Sequence, residues 1–167
     1  ILLVQLLNEK NVSYMRLIRR GHKTVYADGS EFEIGKGVTL KEGNDAAIIA
    51  SGIMVDNALR AYELLQEEGI TVRVIDMFTW KPLDEELVKK AALETGAIVT
   101  AENHQTGSGL GSAVANVLAA EKNAVQEMVG IQNRYGQVGQ QAELEKEYGL
   151  TAEDIVAAVK RAIENKK

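Results

Sequence analysis

Two groups of residues in this sequence have types and spacing suited to chemistry. The first lies in the stretch AENHQTGSGLGS at residues 101–112. Its glycines, Gly107, Gly109 and Gly111, follow an apolar run and open a helical pattern, so their bare amides could hold an anion at the positive end of a helix dipole. Glu102 and His104, just upstream at the carboxyl end of an expected strand, could serve as acid and base. They could equally pin the glycine loop through hydrogen bonds. The second group is Arg16 and Arg19, whose guanidinium groups could form a fork for a phosphate or carboxylate. Arg20, His22 and Lys23 crowd the same region and give the alternative of a solvated basic rim.

Composition removes several other chemistries. With 2 histidines and no cysteine, a histidine or cysteine metal site has too few ligands, and thiolate catalysis and disulfides are excluded. No Gly-x-Ser-x-Gly elbow accompanies the serines, so a hydrolase triad lacks support. Residues 107–112 match the dinucleotide fingerprint poorly, because Ser112 stands where its third glycine belongs and the preceding strand is not the first of its series. A free-standing nucleotide or anion binder built on this loop is one reading left open. The net charge of -5 argues against nucleic acid or an anionic membrane as partner. No apolar run reaches the roughly 18 residues of a membrane span. The expected location is the cytoplasm.

The elements that must position these residues follow from periodicity. Residues 1–10 read as the end of a helix and 12–18 as a strand. Residues 25–34 read as a hairpin turning at Asp28 and Gly29, and residues 35–43 as a linker. From Asp45 onward strands and helices alternate. Ala46, Ala47, Ile48, Ile49 and Ala50 are continuously apolar, as are Ala97, Ile98 and Val99, which suits strands buried on both faces. Helices are expected near 55–68, 84–95 and 110–120, with strands at 71–77 and 128–131. Gly69 and Gly96 stand at helix ends, and a last helix follows Thr151. The expected fold is α/β: a three-layer domain whose mostly parallel, roughly five-stranded sheet is covered by helices. Trp80 and Pro82, the only residues of their types, mark a turn or an interface anchor.

Several segments carry a family likeness in the same order along the chain. They are DAAIIASG at 45–52, VIDM at 74–77 with KPLD at 81–84, VTAENH at 99–104 with GLGSA at 109–113, and YGLTAEDI at 148–155. The run from Asp45 to the end resembles the C-terminal domain shared by transketolases, deoxyxylulose phosphate synthases and the β subunits of 2-oxoacid dehydrogenases. His104 and the 148–155 segment are more similar to transketolase. Residues 1–20 look like the tail of a preceding pyrimidine-binding domain, in which RLIR at 16–19 matches an Arg-x-x-Arg pattern.

The resemblance implies domain bounds at 1–20, 21–44 and 45–167, in a chain that opens within an apolar pattern as though cut from a larger protein. It implies that Arg19, and with it Arg16, contacts the phosphate of a sugar substrate. It further implies that the complete enzyme uses thiamine diphosphate and Mg²⁺, held by pyrophosphate- and pyrimidine-binding domains or a separate subunit. This chain alone would bind neither and would serve interdomain or homo-oligomer packing, with a dimer as the simplest case. The alternatives are a deoxyxylulose phosphate synthase C-terminal domain and the partner-docking domain of a dehydrogenase β subunit.

Overall fold

The computed structural model describes residues 1–18 and 23–166. In chain order the elements are α1 (Leu2–Asn8), β1 (Val38–Lys41), β2 (Ala46–Ala50), α2 (Met54–Glu67), β3 (Val72–Asp76) and α3 (Glu85–Thr95). They continue with β4 (Ala97–Gln105), α4 (Leu110–Glu121), β5 (Val125–Ile131), α5 (Gln141–Glu147) and α6 (Ala152–Glu164). The strands form one five-stranded sheet in the order β1-β3-β2-β4-β5. β2 to β5 run parallel, and β1 lies antiparallel along β3.

The apolar runs explain the layering. Every residue of β2 is buried, and alternate side chains point to opposite faces. Ala46, Ile48 and Ala50 join the core under α2 and α6, while Ala47 and Ile49 join the core under α3 and α4. Each fully buried isoleucine contributes about 1.5–3 kcal/mol of transfer free energy. The chain therefore adopts the three-layer α/β fold that its alternation of strand and helix implies. Local signals fix the helix ends. Asp84 accepts the Leu87 amide to start α3, and Gly96, at φ 67, ends it in the left-handed conformation. Thr151 and Asp154 form a reciprocal capping box at the start of α6.

Ahead of β2, three segments differ from the sequence expectation. Among the described residues, 12–18 join no strand ladder, and Val12, Tyr14 and Leu17 are exposed, so a β-compatible pattern alone does not seat this segment on the sheet. The turn at Asp28 and Gly29 is present, with Gly29 at φ 86, yet its flanks do not pair as a hairpin. Aromatic packing holds them instead. Tyr26 meets Phe32 edge-on at 4.7 Å, and Phe32 meets Phe78 at 5.5 Å. The expected linker at 35–43 contains β1, a short edge strand.

This aromatic segment is locked to the sheet by one buried carboxylate. The Tyr26 hydroxyl donates to Asp76 Oδ2 at 2.7 Å, and Asp76 is 7% exposed with Oδ1 lacking a hydrogen-bond partner. Burial pushes the Asp76 carboxyl up from 3.8 to about 6, against the opposing hydrogen bond from Tyr26. The native state thus holds this proton more tightly than the unfolded chain does. The resulting stabilisation is complete below about pH 4 and is lost as pH rises through about 6. The loss is on the order of 2–3 kcal/mol. Asp76→Asn keeps an acceptor for Tyr26 but does not titrate. Urea unfolding of both proteins between pH 4 and pH 8 is expected to show the variant gaining stability relative to wild type as pH rises, whereas parallel profiles would reject this role for Asp76.

Candidate functional site

The connections leaving β2 and β4 set the position of the site. β2 leads into α2 on one face of the sheet, and the neighbouring β4 leads into α4 on the other. The carboxyl ends of these two strands therefore flank the crevice where open α/β sheets commonly place ligands. The Ser51 amide donates to the Ala101 carbonyl at 3.2 Å across it. β4 is longer than the sequence suggests, so Glu102, Asn103 and His104 lie on the strand itself, ahead of the glycine loop.

Glu102 is fully buried and accepts two hydrogen bonds from the first turn of α4. The Leu110 amide donates to Oε2 at 2.8 Å and the Gly111 amide to Oε1 at 2.7 Å. Burial raises its carboxyl above the ordinary glutamate range, while these amides and the charge of His104 pull it down. The group at the positive end of α4 thus comes from the chain itself, and those two amides are taken.

The glycines differ in how tightly they are confined. A Cβ on Gly109 would collide with the Glu102 carboxylate and approach His104 Cδ2 to 2.9 Å. On Gly111 a Cβ would come within 3.1 Å of Glu102 Oε1 and Thr100 Oγ1, whereas on Gly107 it would meet nothing within 4 Å. His104 packs its ring against Trp80 with centroids 5.5 Å apart and planes at 57°.

Arg16 comes to the same place. Its Nη1 donates to the Asn103 carbonyl at 3.1 Å, joining residues 87 positions apart. Arg19 lies outside the described residues. The sequence presents Arg16 and the glycine loop as separate groups, and the fold brings them to one strand end.

The loop after β5, which the sequence leaves without a role, meets this edge as well. Gln105 Nε2 donates to the Arg134 carbonyl at 2.8 Å, and Arg134 pairs with Glu147 at 2.5 Å while its guanidinium sits 5.0 Å over the Tyr148 ring. The sequence offers only the opposite charges of Arg134 and Glu147, and nothing local to it pairs the two. Among the described residues no group of histidine, aspartate or glutamate side chains is placed to hold a metal ion.

Comparison with known proteins decides the family. The profile of the transketolase C-terminal domain matches residues 35–155. The chain belongs to the transketolase C-terminal domain family. A transketolase C-terminal domain is likewise what its relatives contain. The chain is 41% identical over 162 residues to a 6-deoxy-6-sulfo-D-fructose transketolase subunit of Clostridium sp. (strain MSTE9), covering 97% of this chain and 50% of that protein. It is 42% identical over 161 residues to a putative transketolase C-terminal section of Methanocaldococcus jannaschii, covering 95% of this chain and 49% of the other. A solved structure described as a split gene transketolase, inactive beta4 tetramer, superposes with a TM-score of 0.85 at 47% identity, covering 89% of this chain and 49% of that one. This transketolase C-terminal domain thus spans about half the length of these relatives. Its family match takes in β1.

The confinement of the glycines in this domain has a measurable consequence. Gly109→Ala forces the Glu102 carboxylate off the Leu110 and Gly111 amides, and leaving those buried groups unsatisfied costs about 2–4 kcal/mol. Gly107→Ala, facing open space, is expected to change stability by less than about 0.5 kcal/mol. Chemical denaturation of the two variants checks the contrast, and equal effects would contradict the pinned geometry.

Proposed function

We propose that this chain is the C-terminal portion of a thiamine-diphosphate-dependent transketolase that moves a two-carbon ketol unit from a ketose phosphate to an aldose phosphate. The observation that carries this reading is similarity to transketolase relatives along nearly the whole chain, combined with coverage of only half of each relative. The residues present do not suit the cofactor's diphosphate and Mg²⁺. In the glycine loop, the α4 amides are already bound to Glu102, and the described residues form no carboxylate or histidine cluster for the metal. The cofactor, which supplies stabilisation of a carbanion when bound, belongs on this reading to the pyrophosphate- and pyrimidine-binding portions, whether in the same polypeptide or in a partner subunit.

This chain's own share is packing against those portions and recognition of substrate. Arg19 is the proposed contact to the sugar phosphate, a charge-assisted pair suited to a dianion. The split relatives support assembly with a separate amino-terminal partner, and the solved relative described as a beta4 tetramer supports self-association of this portion. The lack of cysteine fits a reducing cytoplasm, the proposed place of action.

The isolated chain is expected to show no turnover. Mixing it with the amino-terminal portion should produce transfer that depends on added thiamine diphosphate and Mg²⁺, and turnover by the isolated chain would reject the assignment. In the assembled enzyme, Arg19→Ala is expected to raise KM for phosphorylated substrates about tenfold, the equivalent of roughly 1.4 kcal/mol, without changing KM for phosphate-free ones. An unchanged KM for the phosphorylated substrates would remove Arg19 from the site.

A further inference from the structure

α1 has no polar side to turn toward water. Its sequence is LLVQLLN, so apolar side chains occur all around its circumference. A helix of that kind belongs inside a protein. We propose that the outward face of α1, made by Leu3, Val4 and Leu7, is the surface on which the amino-terminal portion of the enzyme docks. The proposal rests on the transketolase reading above and deepens it by naming the contact.

Three observations carry it. First, α1 lacks the features that steady a short helix in water. It has 7 residues, no side-chain hydrogen bond at its N-cap, no acid in its first turn and no base in its last. Leu3, Val4 and Leu7 are 55%, 60% and 76% exposed, and their spacing places them on one stripe.

Second, Gln5 fixes which face is turned outward. Its Nε2 donates to the Phe32 carbonyl at 2.5 Å, and its Oε1 accepts the Ile34 amide at 3.1 Å. Phe32 in turn packs edge-on against Phe78, just beyond β3. Leu2 and Leu6, on the same side of the helix as Gln5, are half-buried. This latch ties α1 to the domain, so the exposed stripe is a presented surface.

Third, apolar exposure is concentrated here. Among the described residues, most of the large apolar side chains that are exposed lie between Ile1 and Ile18. Leu93 makes the contrast. It is 75% exposed on α3, with exposed Lys90 and Glu94 beside it, which is an ordinary surface leucine. The occupant is argued from length. The chain spans about half of each relative, so a comparable length of those proteins lies outside the matched part. On the C-terminal reading that length lies ahead of α1, which puts an apolar cover within its reach.

This chain and the amino-terminal portion, produced separately, give the test by titration calorimetry. Leu3 and Leu7 face solvent in this chain alone, so Leu3→Asp/Leu7→Asp should unfold in urea as wild type does. Its affinity for the amino-terminal portion should fall at least about tenfold, because two apolar side chains no longer leave water on binding. Leu93→Asp should bind as wild type does. Gln5→Ala should quicken backbone amide exchange in residues 2–8 of this chain. Equal affinities for wild type and Leu3→Asp/Leu7→Asp would overturn the docking face, as would equal weakening by Leu93→Asp. Loss of self-association in Leu3→Asp/Leu7→Asp, with affinity for the amino-terminal portion unchanged, would give the face to a second copy and overturn the proposed occupant. Unchanged exchange in Gln5→Ala would overturn the latch. Wild-type portions that bind each other yet show no thiamine-dependent transfer would overturn the transketolase reading and leave the docking face standing.

Discussion

The contact on which the site depends is the one between the Glu102 carboxylate and the first amides of α4. A fully buried carboxylate is costly unless its oxygens are satisfied, and here each oxygen takes a backbone amide at the positive end of a helix. The arrangement works only because Gly109 and Gly111 have no side chains to fill the space that the carboxylate occupies. Strand, loop and helix are thus fixed by one side chain. His104 and Asn103 inherit positions from it, and Arg16 inherits its acceptor.

This contact also explains why a glycine-rich loop at a helix start is not a phosphate cradle here. The motif has the composition of an anion site, but its amides are taken by a carboxyl group supplied from within the fold. From sequence alone, a loop that receives a ligand and one that receives a nearby glutamate look the same. The difference lies in whether Glu102 points along the loop or away from it.

Much of the architecture was legible, because a parallel strand buried on both faces must be continuously apolar and its crossover helices must be amphipathic. The stretch from Ala46 to Ala50 and the Thr151 cap are readable on those grounds. β1 was not. Its four residues are an edge pairing inside what reads as a linker, and half-buried strands that short carry little pattern. α5 was missed because it buries no residue and so shows no apolar stripe. In the site, residue types pointed to Glu102, His104 and Arg16, but no local signal could pair Arg16 with Asn103 or Tyr26 with Asp76. Those partners are set by the sheet topology.

On the proposed reading, this domain's work is to pack against the portions that hold the cofactor. It offers a sheet edge, fills the start of α4 with its own carboxyl group, and ties residues 12–18 to that edge through Arg16. Titration calorimetry with thiamine diphosphate and Mg²⁺ tests that division most directly. Saturable binding is expected only when the amino-terminal portion is present, and saturable binding to this chain alone would contradict it.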